Sequence, residues 1–294
     1  ARRPGAGIAN TCASVFAGIP TLAQNSAMFE RLENAAQQMT QTELLCFEQP
    51  LTERMRTFLR VEFLYEQARF HMDGAADFSS RATVASILEI LSILGRGDVR
   101  AEVLKDLERH TERLGQYRQT PGVDAERLDR LLGNLEQRKA ELTAAGSQFL
   151  HPIRDCDFLS AIKHRSAIPG GTCSFDLPDY NFWLNLPIHA RRDQISTWLQ
   201  TLAPLCDAVG DLLWFAREAG EATQCSAESG FYQTNLDRNM QLNLLQLRLA
   251  RNHGVFPEVS AGKHRLTVRF VEWKGIDARP VQTTEQIDFE LTMS

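Results

Sequence analysis

The chain divides at Ile168-Pro169-Gly170-Gly171-Thr172-Cys173-Ser174-Phe175-Asp176-Leu177-Pro178. Pro169 lacks a backbone donor and biases Ile168 away from helical angles, and the two glycines allow backbone directions that other residues resist. Apolar and polar residues then alternate from Cys173 to Leu177, which is the period of a half-buried strand. The stretch therefore predicts the end of a helix followed by a strand.

Helical periodicity dominates the sequence before this stretch. Apolar residues recur at spacings of three and four from about Leu51 to His71, and again in three further segments that end near Gly146. A shorter helix is expected from about Cys156 to Ser166. After the stretch, Arg191 begins two more helices, because Pro204 suits the first turn of the second one.

The period changes from 3.6 to two after Gly230. Phe231 to Leu236 and Met240 to Leu249 are predicted strands, and a slip in the apolar phase of the second indicates a bulge. Two later strands, around Leu266 and Leu291, each have one apolar and one charged face, and we expect them to be antiparallel neighbours. Helices come first and strands last, so the fold class is α+β.

The predicted domain organisation follows from these patterns. An N-terminal extension, 1–38, shows no sustained apolar period, and we expect it to be peripheral and poorly ordered. An α-helical domain is predicted for 39–169. A C-terminal antiparallel β-domain is predicted for 170–294, with two helices inserted after its first strand. These inserted helices, at about 188–219, are expected to pack on the helical domain.

Composition and charge exclude several classes of protein. The chain is 43% hydrophobic and 23% charged, and its formal net charge of -5 argues against a general nucleic-acid binder. Its six cysteines form no Cys-x-x-Cys pair, which favours free thiols in a reducing cytoplasm over a disulfide framework or a zinc site. No apolar run approaches the length of a membrane span. The sequence therefore predicts a cytoplasmic protein that does not enter a membrane.

Motifs for catalysis, metals and cofactors are missing from the sequence. The seven histidines stand apart, without a His-x-x-x-His or His-Glu-x-x-His spacing, and no Walker loop, nucleophile elbow or dinucleotide fingerprint occurs. We therefore predict no metal, no cofactor and no enzyme activity. Glu62 lies on the apolar side of the first helix, and we expect it to be buried in an ion pair with a basic residue of a neighbouring helix.

Four stretches between Phe47 and Leu291 resemble sequences of the ZapD family of bacterial cell-division proteins. The stretch at 168–178 resembles the central signature of the family. The others are Phe47-Glu48, Pro50-Leu51 and Met55 to Leu64; Gly230-Phe231-Tyr232-Gln233; and Asp288-Phe289-Glu290-Leu291. They occur in the family's order and carry no catalytic residues. The resemblance begins after the extension at 1–38.

The resemblance implies a homodimer that binds the C-terminal tail of FtsZ and bundles FtsZ filaments at the mid-cell division ring. FtsZ filaments are acidic, so a basic face is the expected contact. Its candidates are Arg56, Arg60, Arg96, Arg100, Arg154, Lys163 and Arg165. An exposed solubilising charge, or a pair within the molecule, is an equally good interpretation of each. Asp157 and Asn181 depart from the pattern, because the resemblance leads us to expect Arg and His there.

A second class of function stays open at this point. A cytoplasmic enzyme could build its active site near the Pro-Gly-Gly stretch, from Cys173 and a histidine that is close in space but distant in sequence. A packed strand thiol is the simpler interpretation of Cys173. Cosedimentation with polymerised FtsZ distinguishes the two classes.

Overall fold

The computed structural model describes residues 44–236, 242–262 and 264–294. The extension at 1–38 and the beginning of the strand predicted from Met240 lie outside the described residues. In these ranges, helices fill the N-terminal half and antiparallel sheets fill the C-terminal part, which confirms the α+β class. The domain boundaries themselves stay predictions.

The α-helices of the described ranges precede all strands except one. They are α1 Glu53–Met72, α2 Asp77–Leu94, α3 Val99–Gly115, α4 Ala125–Ala145, α5 His151–Arg154, α6 Asp157–Ser166, α7 Pro178–Leu184 and α8 Ile188–Glu218. The strands are β1 Leu44–Pro50, β2 Thr223–Ala227, β3 Phe231–Asn235, β4 Leu244–Ala250, β5 Val255–Ala261, β6 Arg265–Glu272, β7 Val281–Gln282 and β8 Ile287–Met293. Strand β1 was not predicted, because no element was assigned to the segment before the first helix.

Side-chain caps begin three of the helices. Thr52, Asp98 and Asp124 each accept a hydrogen bond from the backbone N–H three residues later, at the starts of α1, α3 and α4. Such caps satisfy donors that a helix leaves unpaired, and each stabilises its helix by about 1 kcal/mol.

Helices α1 and α2 form an antiparallel hairpin that packs against α8. Ser86 donates to Gln67 across the hairpin at 3.1 Å, and the interior is apolar. Its fully buried side chains include Phe58, Ile87, Leu107, Leu142 and Leu202. The helical periodicity of the sequence therefore identified the buried faces correctly.

Helix α8 is a single helix of 31 residues, so the prediction of two helices divided at Pro204 was wrong. Proline removes one helical hydrogen bond, and a helix can continue through that loss when its apolar face is well buried. Leu202, Leu205 and Val209 are all buried around this position.

Residues 168–176 form consecutive turns and Pro178 begins α7, so the strand predicted there was wrong. Gly171 donates to the Ile168 carbonyl at 2.9 Å, and Leu177 donates to the Cys173 carbonyl at 3.1 Å. Because these backbone groups are satisfied locally, no partner strand is needed. Both glycines are required by the geometry. Gly170 has φ 72°, and a Cβ on Gly171 would lie 2.4 Å from the Arg165 carbonyl oxygen.

Two antiparallel sheets face each other across a second apolar core. One sheet has the strand order β1-β4-β8-β2, and the other has the order β3-β6-β5, with β7 also paired to β6. Phe270 of β6 and Phe289 of β8 meet between the sheets, with ring centroids 4.9 Å apart. The prediction that the strands around Leu266 and Leu291 are neighbours was therefore wrong, because they lie in opposite sheets.

Strand β4 contains no bulge in its pairing with β1, which runs without interruption from Leu44 opposite Ala250 to Pro50 opposite Leu244. The slip in apolar phase has another cause. Leu244 belongs to the core of the helices, whereas Leu245, Leu247 and Leu249 belong to the core between the sheets. A strand that is buried on both faces does not alternate strictly.

In the described ranges, no single helix combines the length and apolar composition of a bilayer span. Helices α2 and α3 meet that criterion only as a pair bent by 79°.

Candidate functional site

Three of the predicted arginines surround one cavity of about 490 Å³. Arg96 lies in the turn between α2 and α3, Arg100 in the first turn of α3, and Arg154 at the end of α5. Apolar residues Phe149 and Leu150 complete the lining together with the N-terminus of α3. We call this site the arginine cavity.

Helix ends hold two of these arginines in place. Nη2 of Arg100 donates to the Leu142 carbonyl at 3.1 Å, and Nη2 of Arg154 donates to the Leu94 carbonyl at 3.1 Å. Both carbonyls belong to the last turns of their helices, where helical partners are missing. Each guanidinium keeps further N–H donors beyond this one bond. Arg96 is exposed, and its side chain is free to meet a ligand at the rim.

The cavity favours anions for electrostatic reasons. Three guanidinium groups line it, and the N-terminal end of α3 adds positive helix potential. The carboxylate of Asp98, which also lines it, accepts a hydrogen bond from the Ala101 N–H at 3.0 Å and caps that helix end. Guanidinium groups bind carboxylates and phosphates through paired hydrogen bonds. The site can therefore hold an acidic group beside an apolar one.

Arg56 and Arg60 lie on the first half of α1, at the same end of the α1–α2 hairpin as the arginine cavity. Gln67 faces Ser86 across this antiparallel pair. At about 1.5 Å per residue, Arg56 and Arg96 therefore reach similar levels along the hairpin axis. Arg56 pairs with Glu53 at 3.3 Å, and Arg60 is exposed. Neither lines the cavity.

Lys163 and Arg165 lie apart from the arginine cavity, on α6. Arg165 is 3.8 Å from the carboxylate of Asp176. Lys163 lines a second cavity, of about 550 Å³, between α2 and α6. We call this second cavity the α2–α6 groove. The seven predicted basic residues thus fall into three groups: the arginine cavity, the outer half of α1, and α6.

The two positions that depart from the expected pattern are both on short helices. Asp157 is the exposed first residue of α6, and Asn181 lies in α7. The carbonyl oxygen of Asn181 accepts a hydrogen bond from the side chain of Asn185 at 2.8 Å.

Cys173 has an acidic neighbour, because its thiol donates to a carboxylate oxygen of Asp176 at 3.4 Å. Throughout the described ranges, no hydrogen bond joins this thiol to a histidine, and no three metal-ligating side chains cluster.

Sequence reasoning identified Glu62 but missed its partner. The side chain of Glu62 is 18% exposed, and its oxygens accept from Arg217 of α8 at 2.6 and 2.7 Å, which confirms the expected ion pair. Arg217 also donates twice to Glu48 of β1, at 2.8 and 2.9 Å. The bonds to Glu62 and then Glu48 raise the pKa of the Arg217 guanidinium. We call Arg217, Glu48 and Glu62 the polar junction.

Sequence reasoning also missed Arg81, which lines the α2–α6 groove. No local sequence pattern indicates the contact of Arg81, because its partner Thr172 lies 91 residues further along the chain.

The structure is that of an α+β protein with a basic cavity between helix ends. The family model for ZapD, described as a cell division protein, matches residues 59–269. The curated Cell division protein ZapD of Methylococcus capsulatus is 34% identical over 249 residues, which cover 85% of this chain and 97% of that relative. The chain therefore belongs to the ZapD family of cell division proteins.

Proposed function

We propose that this protein binds the C-terminal tail of FtsZ and cross-links FtsZ filaments into bundles, which promotes assembly of the division ring. Membership of the ZapD family supports a role in cell division. The finer role rests on the resemblance of the sequence and on the chemistry of the site. In this proposal the protein acts in the cytoplasm at mid-cell, as a homodimer and without catalysis.

The arginine cavity is the observation that carries the proposal. Arg96, Arg100 and Arg154 give it positive charge on a protein whose formal net charge is -5. Local attraction of this kind steers an acidic peptide to one place on an acidic molecule, where the remaining surface repels it. Arg60 extends the same basic end along α1.

Cross-linking needs two equivalent sites in one particle. A two-fold homodimer supplies them, because each chain contributes the same face. Joining two weak contacts raises the overall affinity for a filament, whereas one site alone binds without bundling. A dimer therefore accounts for bundling without any catalytic machinery.

Cosedimentation with polymerised FtsZ tests the proposal, with electron microscopy to detect bundles. Arg60→Glu combined with Arg96→Glu reverses two exposed charges and removes no hydrogen bond described above. We expect this double variant to lose at least about tenfold in affinity, equivalent to about 1.4 kcal/mol. Bundles should disappear with it.

Matched controls test whether the loss of binding is specific to the basic face. Arg130→Glu reverses an exposed charge on α4, outside both cavities, and should bind as the parent does. Circular dichroism and light scattering should show the double variant folded, with the parent's mass. Binding should also weaken with salt, since the Debye length falls from about 10 Å at 0.1 M to about 3 Å at 1 M. Unchanged bundling by the double variant would refute the basic face.

A further inference from the structure

The α2–α6 groove is a second cavity with a different lining from the arginine cavity. Val84, Leu88 and Ile162 give it an apolar floor, and Tyr180 forms part of its wall. Its volume of about 550 Å³ lies in the range of pockets that hold small ligands or single large side chains.

The turns at 168–178 fix the wall of this groove. Arg81 donates to the carbonyl of Thr172 at 2.9 Å, and its guanidinium lies 4.9 Å from the ring centroid of Tyr180. Burial raises the pKa of the Tyr180 hydroxyl to about 12, so the ring beside Arg81 stays uncharged even at alkaline pH values near 10. The wall is therefore pre-formed, which lowers the entropy cost of binding.

Charge at the groove indicates the sign of its ligand. Arg81 and Lys163 line it. Among the described residues of the lining, Glu89 is the one acidic side chain. Lys163, His164 and Arg165 occupy the last turn of α6, and Lys163 is exposed at the edge. A carboxylate near Lys163 is therefore favoured, whereas a basic group is not.

We propose that the α2–α6 groove binds an acidic peptide by taking up one large apolar side chain, while a neighbouring carboxylate of the peptide meets Lys163. This inference rests on the proposed function and extends it, because the peptide is then part of the same FtsZ tail that the arginine cavity attracts. The groove supplies apolar anchoring and the arginine cavity supplies charge.

The turns at 168–178 gain a role from this proposal. Gly170 and Gly171 allow the chain to turn closely enough for Thr172 to face Arg81. In this proposal the stretch forms part of the wall of a binding site.

Filling the groove tests the inference. Ala85 lines it and is exposed, so Ala85→Trp occupies the space without removing a contact. The probe is a fluorescein-labelled synthetic peptide with the sequence of the FtsZ C-terminal tail, followed by anisotropy. We expect Ala85→Trp to weaken binding about tenfold, because the tryptophan occupies the space into which the apolar side chain of the peptide would be buried. Lys163→Glu should weaken it by a smaller factor.

Alanine variants of the peptide identify the inserted side chain. Replacing that residue should weaken binding to the parent protein about tenfold but change binding to the Ala85→Trp protein little, because the groove is already filled. Ala140→Trp and Lys105→Glu change exposed residues away from both cavities and serve as matched controls.

The outcomes separate this inference from the proposed function. If Arg60→Glu with Arg96→Glu weakens peptide binding while Ala85→Trp and Lys163→Glu do not, the groove is not a binding site and the proposed function stands. If the parent protein binds no tail peptide, the proposed function fails and this inference fails with it. Losses in the groove variants that exceed those of the controls support the groove.

Discussion

The helical core and the core between the sheets are apolar, whereas polar side chains form much of the contact between them. Each core is apolar and consists mainly of residues from its own elements, with Phe58 in one and Phe270 in the other, although Leu244 of β4 belongs to the helical core. The polar junction connects them through Arg217. A second polar contact joins Arg54 of α1 to Asp106 and to Asn243, each at 3.1 Å.

This difference means that the stability of each core and the relative orientation of the two cores depend on different interactions. Apolar contacts are non-directional, so each core can stabilise its own elements without fixing their relation to the other core. Paired hydrogen bonds between ions require a specific geometry. We therefore expect substitutions that disturb the packing of a core to lower the free energy of unfolding most. Substitutions at the polar junction should lower it by a smaller amount.

The largest effect is expected at Gly230, a buried glycine in the turn between β2 and β3. Its φ is 67°, and a Cβ there would lie 2.8 Å from the Thr283 carbonyl oxygen and 3.0 Å from that of Phe270. Gly230→Ala should reduce the free energy of unfolding by about 3–5 kcal/mol, because backbone strain and overpacking add. Urea denaturation measures this loss.

Gly275 provides the control for that change. Its φ is 90°, but a Cβ there would meet no atom within 4 Å. Gly275→Ala should therefore cost about 1 kcal/mol from strain alone. Equal losses for the two variants would show that the close approach of the Thr283 and Phe270 carbonyls at Gly230 contributes nothing.

A smaller effect is expected at the polar junction. Arg217→Ala leaves the carboxylates of Glu48 and Glu62 facing each other without their cation. The side chains are 18–27% exposed, so we expect a loss of about 2–4 kcal/mol, somewhat below that of a fully buried pair. Glu62→Ala should cost less, since Arg217 keeps Glu48.

The exposed pair of Arg118 and Asp129 is the matched control for the polar junction. Its atoms are 3.2 Å apart, but its side chains are 59% and 66% exposed. Arg118→Ala should change stability by less than about 1 kcal/mol. If Arg217→Ala proves as mild, the junction does not hold the two cores together.

The smallest effect concerns pH and His110, which packs against Phe215 in the helical core with ring centroids 5.4 Å apart. Burial lowers the pKa of His110; Arg109, Arg113 and Arg54 lower it further, and Asp106 opposes them. Below the ordinary value of 6.5, the unfolded chain binds a proton that the folded protein resists. Stability should therefore fall as the pH falls below about 6.5.

Thermal unfolding between pH 7 and pH 5 measures this dependence. His110→Gln removes the titrating group, so its stability should fall less steeply with pH than the parent's. His253→Gln alters an exposed histidine and should leave the parent's slope unchanged. Identical slopes for all three proteins would exclude His110 as the cause.

Periodicity predicted which faces are buried, but it could not predict which elements pair. The apolar stripe of α1 and the ion pair of Glu62 were both read from one helix, and both are confirmed. The strands β6 and β8 have the expected apolar faces, yet they oppose each other across the core. Alternation identifies a face of a strand and says nothing about its neighbour.

The site was predictable only where its residues are close in sequence. Arg96 and Arg100 flank one helix start, and their proximity follows directly from it. Arg154 reaches the same cavity through a contact with Leu94, 60 residues earlier, which no local pattern indicates. Strand β1 was missed for the same reason, because its partner β4 lies about 200 residues away.

The unbroken helix α8 has a mechanical consequence. Its 31 residues span about 46 Å. Near one end, Arg191 is bonded to Ser80 of α2 at 2.8 Å, and near the other, Arg217 is bonded to β1. A mechanical force applied to α2 near Ser80 is therefore transmitted to the sheets through a stiff helix rather than through a loop. Pro204, which interrupts the hydrogen bonding of that helix near its middle, is where we expect it to bend first under load.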